Sequence, residues 1–149
     1  MSDLYALLER ADAIAARAHA GQTDKSGRAY ISHPRRVSAL CTTLKAKITA
    51  LLHDTIEDTD ITPEFLLQEG FPQDIVDAVL SVTHKKGEDY FDFVRRAAQN
   101  PIGREVKTAD LQDNMDVRRL SPPLSLWDID HLNKYLTAYK ILTEEYPLP

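Results

Sequence analysis

Ile48-Thr49-Ala50-Leu51-Leu52-His53-Asp54-Thr55-Ile56-Glu57-Asp58 runs from a mostly apolar segment straight into one imidazole and three carboxylates. On a helix of 3.6 residues per turn, His53 and Glu57 fall four apart, as do Asp54 and Asp58. Each pair therefore shares a side. His53 and Asp54 are candidate metal ligands, and Glu57 and Asp58 then lie at the depth of a water beside the ion. Carboxylates this dense next to an apolar stripe are costly to bury unless a cation or a partner compensates. A His-Asp pair alone is a weak signal, because a solvated helix face explains it equally well. Two other places in the chain supply further ligands.

The sequence has 149 residues, the size of one ordinary domain, and is 43% hydrophobic and 28% charged, which is a globular composition. A single domain over residues 1–149 is expected. The net charge of -5 argues against a nucleic-acid partner, which would need a basic face to neutralise phosphates. A small anionic ligand remains compatible, since a local basic cluster can sit in an acidic protein. Cys41 is the one cysteine, so no internal disulfide can form and a cytoplasmic setting fits. No signal-peptide core is present and no apolar run approaches membrane-spanning length, so no membrane association is expected.

Outward from the central stretch, the periodicity is helical throughout. Residues 3 to 20 repeat Leu4, Leu7, Leu8, Ala11, Ile14, Ala15 and Ala18 at helical spacing and stop at Gly21. His19, in the last turn, reads as a dipole partner or packing residue. The polar stretch from Gly21 to Tyr30 reads as a loop, and Lys25, Ser26, Arg28 and Tyr30 give it donors for an anion. Pro34 suits a helix start, which puts His33 at the entrance of a helix whose apolar face is Val37, Leu40, Cys41 and Leu44. A second helix is expected over roughly 47 to 58. Thr62-Pro63 caps a short helix that Gly70 ends. Residues 72 to 84 carry a core stripe of Ile75, Val76, Val79, Leu80 and Thr83, and residues 88 to 98 bury Tyr90, Phe91 and Val94. Asn100-Pro101 opens a long helix on which Lys107, Asp110, Asn114 and Arg118 fall at spacings of three, four and four, one polar stripe beside Ile102, Val106 and Ala109. Ser121-Pro122-Pro123 breaks it. The last helix, about 125 to 145, packs Leu132, Tyr135, Leu136, Tyr139 and Leu142 inward, with Trp127 in the core. No segment reads as a strand. The expected fold is all-α, a bundle of about seven or eight helices around a central metal site.

His33, His53-Asp54 and Asp110 together offer two imidazoles and two carboxylates from three helices. Such mixed ligation suits manganese, iron or zinc better than calcium. The order His … His-Asp … Asp resembles the HD superfamily of metal-dependent phosphohydrolases. Residues 21–34 (Gly-Gln-Thr-Asp-Lys-Ser-Gly-Arg-Ala-Tyr-Ile-Ser-His-Pro), 51–59 (Leu-Leu-His-Asp-Thr-Ile-Glu-Asp-Thr) and 107–115 (Lys-Thr-Ala-Asp-Leu-Gln-Asp-Asn-Met) resemble three motifs of the RelA/SpoT-type alarmone hydrolases. This resemblance implies an HD-domain fold, one Mn2+ ion or another transition metal, and hydrolysis of the 3′-pyrophosphate of guanosine tetra- or pentaphosphate. It also implies that Glu57 and Asp58 act on the attacking water as a coupled pair, and that Lys25, Ser26, Tyr30, Lys107 and Asn114 contact the nucleotide. The chain stops where a synthetase domain would begin, so a stand-alone small hydrolase is expected. Two positions depart from the family pattern: Asp24 stands where a basic residue packs on the guanine, and Asp116-Val117 replaces Arg-Thr. Arg28, Arg118 and Arg119 are candidates to substitute. The same residues also admit an HD phosphohydrolase for another phosphorylated nucleotide, an adenosine alarmone or a dinucleotide phosphate, or a non-catalytic nucleotide-sensing module.

Overall fold

The computed structural model describes residues 3–146. Nine α-helical segments follow one another: α1 (Leu4–Ala18), α2 (Ser32–Leu40), α3 (Leu44–Leu52), α4 (Thr55–Asp58), α5 (Pro63–Gln68), α6 (Gln73–Ser81), α7 (Tyr90–Ala98), α8 (Pro101–Asn114) and α9 (Leu126–Lys140). α4 is a single turn, so eight helices of six residues or more remain among the described residues. A 3-10 turn, Val117–Arg119, follows α8, and a π-type turn, Ile141–Glu145, extends α9. No strand occurs among the described residues; Thr23 and Ala29 form one isolated antiparallel bridge across the polar loop.

The helix starts are chemically marked. Asp3, Thr43, Thr62, Asp89, Asn100 and Ser125 each accept a hydrogen bond from an amide in the turn they open. Gly70 ends the α5 region with φ +96°, a conformation that L side chains rarely adopt.

α3 is the axis of the packing. It touches α1, α2, α6 and α8, and Ala46, Ile48, Thr49, Ala50, Leu51 and Leu52 are all buried. Beyond Lys45 and Lys47 near its start, the helix is apolar on nearly every side, as suits an interior position. On one side Ile48, Leu51 and Leu52 join Leu7, Ala11, Leu66, Phe71 and Ile75. On the other, Ala46 and Ala50 meet Val37, Cys41, Val82, Ala97 and Val106. Cys41 sits in this second cluster, and burial pushes its thiol up to about 12, as suits a packing residue. A third cluster, Val94, Ala98, Leu111, Ala138, Ile141 and Leu142, seats α9 on α7 and α8.

Several boundaries differ from the pattern reading. The helix expected over 47 to 58 is interrupted at His53-Asp54, where α3 ends and the α4 turn begins. α2 stops at Leu40, which is exposed, because Cys41–Thr43 turns the chain and Thr43 caps α3. α8 ends at Asn114, so Arg118 leaves the polar stripe and points outward, paired with Asp116. Leu80 and Leu136 face solvent rather than the core. Trp127 is half-exposed rather than buried.

Two local constraints hold the helices near the site. A Cβ on Gly103 would meet Ser81 Oγ at 2.1 Å and the Ala97 carbonyl at 3.2 Å, so α8 passes α6 and α7 at a distance only glycine permits. Arg96 of α7 staples the loop after α6: it donates to the carbonyls of Leu80 (3.0 Å) and Thr83 (2.8 Å) and, from Nε and Nη2, to both oxygens of Glu88. Hydrogen bonding from Arg96 holds the Glu88 carboxyl down at about 2.

Gly103→Ala should destabilise the protein by about 1–3 kcal/mol, the scale of overpacking. Ser81→Ala should relieve part of that loss, so chemical denaturation of the double variant should show a cost smaller than the sum of the singles. Glu88 contributes stability that is present above the ordinary glutamate range and is lost as pH falls through its depressed native value. Thermal melts should therefore show Glu88→Gln less stable than the parent at pH 6, with the gap closing as pH is lowered toward 2.

Candidate active site

Where α3 breaks, its last turn delivers His53 to the interior. The His53 ring is buried, and its Nδ1 lies 2.6 Å from the Ala50 carbonyl. A carbonyl only accepts, so Nδ1 carries the proton and Nε2 presents its lone pair. That Nε2 is buried and has no hydrogen-bond partner. His33, early in α2, is arranged alike: Nδ1 lies 2.7 Å from Asp113 Oδ2, and Nε2 faces inward. The two rings stand 5.3 Å apart, edge to face. Asp54 Oδ2 lies 3.1 Å from His53 Nε2 and 3.9 Å from His33 Nε2. Asp110 Oδ1 lies 2.9 Å from His33 Nε2 and 3.4 Å from His53 Nε2.

Two imidazole lone pairs and two carboxylates thus converge, with the ring protons engaged elsewhere. His33, His53 and Asp54 bring their ligand atoms within 4.8 Å of one another, and Asp110 closes on both rings from α8. Burial works to neutralise every member. It is outweighed: Asp110 and Asp113 hold the His33 pKa up, Asp54 and Asp110 hold that of His53 well above the imidazole range, and the imidazoles keep Asp54 down at about 2. Lys107 and the imidazoles hold the Asp110 carboxyl well below the ordinary range. Such a cluster demands positive charge at its centre, and a divalent cation supplies it without protonating the rings.

A cavity of about 660 Å³ opens on this cluster. Lys25, Ser26 and Tyr30 of the loop line it, with His33, Asp54 and Asp110, and so do Glu57, Asp58 and Asn114. The Tyr30 hydroxyl donates to Asp54 Oδ2, and Asn114 Nδ2 lies 3.3 Å from Asp110 Oδ1. Lys107 is the exception among the expected contacts. It is buried behind Asp110, with Nζ 2.9 Å from Oδ2, and neutralises that carboxylate instead of lining the cavity. Glu57 Oε1 accepts the His84 amide at 2.8 Å. Among the described residues Asp58 takes no hydrogen bond on its carboxylate; burial and the charges of Asp54 and Glu57 raise its pKa.

Asp24, one of the two departures, organises the loop. Its Oδ1 accepts from the Ser26 amide, the Ser26 hydroxyl and the Arg28 amide, each at 2.9 Å. Asp116 pairs with Arg118 and Arg119. Of the candidate substitutes, Arg119 lines the cavity and Arg28 and Arg118 do not.

The pattern reading missed Asp113, which lies three residues after Asp110 on the same face of α8 and holds His33 in its tautomer. The i, i+3 spacing was a usable signal. It also missed the α9 wall. Trp127 and His131 both line the cavity and stack on each other with centroids 3.4 Å apart, and Lys25 Nζ lies 3.2 Å over the Trp127 ring while bonding Asp128 at 3.0 Å. Lys25 on the loop and Asp128 on α9 lie 103 residues apart in sequence, so no local pattern joins them.

No protein-family model matches the chain. It is 34% identical over 130 residues to a probable GTP pyrophosphokinase of Mycobacterium leprae, an overlap covering 78% of this chain and 16% of the relative. It is 32% identical over 120 residues to a guanosine-3′,5′-bis(diphosphate) 3′-pyrophosphohydrolase of Aquifex aeolicus, covering 72% and 17%. The chain thus spans about a sixth of the length of these curated relatives. Among solved structures, a metazoan orthologue of SpoT that hydrolyses ppGpp superposes with a TM-score of 0.74 at 23% identity, over 95% of this chain and 87% of the other. That likeness carries the fold, an all-helical HD architecture. In sequence the chain is similar to a segment of the RelA/SpoT-type proteins, and in fold to the SpoT orthologue.

Proposed function

We propose that the protein is a manganese-dependent hydrolase of the 3′-pyrophosphate of guanosine tetra- and pentaphosphate, releasing pyrophosphate with GDP or GTP. The observation that carries this reading is the orphaned, buried Nε2 of His53 beside the inward Nε2 of His33 and the carboxylates of Asp54 and Asp110, at the floor of a cavity large enough for a nucleotide. The names of the relatives point to the same substrate class.

His33, His53, Asp54 and Asp110 would hold the ion. Bound there, it polarises a phosphoryl oxygen and lowers the pKa of a neighbouring water. Asp113 fixes the His33 ring by taking its Nδ1 proton in a hydrogen bond, and Tyr30 orients Asp54. Of the two acidic neighbours, Glu57 is held by the His84 amide and directs the water through its second oxygen. Asp58, whose raised pKa suits proton acceptance, takes the water's proton. The water oxygen bonds to phosphorus as the bond to the ribose 3′-oxygen breaks, so the elements of water add across that bond. Lys25, Ser26 and Asn114 contact the nucleotide from the cavity wall.

Metal-stripped protein should release GDP and pyrophosphate from ppGpp only after manganese is restored, as resolved by ion-exchange chromatography. Turnover of adenosine or dinucleotide phosphates without turnover of ppGpp would move the protein to another substrate. Asp58→Asn should lower kcat by about a hundredfold or more with metal content unchanged, the scale of a lost general base. Asp113→Asn should instead weaken metal affinity by about 10–100-fold in chelator competition, the usual cost of losing a partner that orients a ligand.

A further inference from the structure

Two arginines on the cavity wall, Arg36 and Arg119, have no task in the chemistry above. Asp113 is only 4% exposed, yet two guanidiniums share it. Its Oδ1 accepts from Arg36 Nε at 2.8 Å and from Arg119 Nη1 at 3.0 Å, and its Oδ2 accepts from Arg36 Nη2 at 3.2 Å. Arg119 Nη2 also donates to the Asp113 carbonyl. The nearest second carboxylate, Asp116, lies 3.6 Å from Arg119 and is bound more closely by Arg118, at 2.6 Å.

At Asp113 itself two guanidiniums therefore share one carboxylate. Arg36 keeps Nη1 and Arg119 keeps Nε free of carboxylates. The two side chains remain 31% and 22% exposed, and both residues line the cavity. Arginine forks match phosphate oxygens in shape as well as charge. Elsewhere on the wall, the Lys25 ammonium is matched one to one by Asp128.

We propose that Arg36 and Arg119 form the subsite for a second phosphoanion of the substrate, the 5′-diphosphate of a nucleoside, held apart from the metal cluster. The inference rests on the reading above, in which the substrate carries phosphates on both sides of the ribose. It adds that the far group is gripped by an arginine pair anchored on the carboxylate that also holds His33. Neither residue belongs to the three motifs as matched.

The test is calorimetric titration of the metal-loaded protein with GDP and with guanosine, and in parallel with ADP and adenosine. The 5′-diphosphate should tighten binding of the nucleoside by about tenfold or more, the scale of charge-assisted hydrogen bonds. Arg36→Gln and Arg119→Gln should each erase most of that ratio, and Arg36→Lys, which keeps the charge and an ion pair but loses the fork, should fall between and covers the case of an unfolded Gln variant. Asp54→Asn, which damages the metal cluster, should keep the ratio. The proposal is overturned if neither diphosphate outbinds its nucleoside, if the arginine variants keep the ratio, or if Asp54→Asn alone abolishes it, which would seat the diphosphate on the metal cluster. Loss of the ratio in the arginine variants without any turnover of ppGpp by the parent would leave the subsite standing and remove the proposed reaction.

Discussion

A carboxylate in the middle of a helix bundle must be neutralised, and Asp110 is where this protein meets that demand. It is buried on α8 and touches Lys107 one turn before it, His33 from α2 and His53 from the end of α3. Removing one partner from such a group leaves an uncompensated charge, which costs far more than the pair contributes. The α2, α3 and α8 contacts are thereby fixed not only by apolar packing, which tolerates small slides, but by a polar arrangement that does not. The α2 and α8 helices that carry the cluster also pack directly on α3.

The break between α3 and α4 is the second organising feature. A continuous helix would carry His53 and Glu57 along one straight face. Instead the chain turns at Asp54, whose carbonyl still accepts the Asp58 amide at 3.0 Å, while Thr55 returns its hydroxyl to the Leu52 carbonyl at 2.7 Å. The apolar half can then sink into the core while the acidic half stays at the cavity. Each half keeps the environment its residues require, which explains how four ionisable groups in six residues coexist with a helix whose Ile48–Leu52 segment is buried.

Much of this was legible in the sequence, for identifiable reasons. Helix boundaries at Thr62-Pro63, Asn100-Pro101 and Gly70 rest on local backbone chemistry, which tertiary context seldom overrides. The convergence of His33, His53, Asp54 and Asp110 was legible because each stands in a motif. What periodicity could not give was the exposure of particular positions. Leu136 has helical spacing, but its side of α9 meets solvent. Trp127 reads as core by size, yet α9 begins at the rim of the cavity and leaves it half-open. Lys107 has the spacing of a cavity residue, but the rotation of α8 turns it behind Asp110. Arg36 gains meaning only from Asp113, 77 residues away.

The Arg96 staple has a wider implication. It ties two carbonyls at the end of α6 to the Glu88 carboxylate, and the loop so fixed offers the His84 amide to Glu57. Arg96, Glu88 and the His84 amide have no reactive chemistry, and none belongs to a recognisable pattern. The orientation of an acid beside the histidine–carboxylate cluster is thus written in a stretch that carries no signature of function. Transplanting the three motifs onto another helical scaffold would move the reactive groups and leave behind the part that aims them.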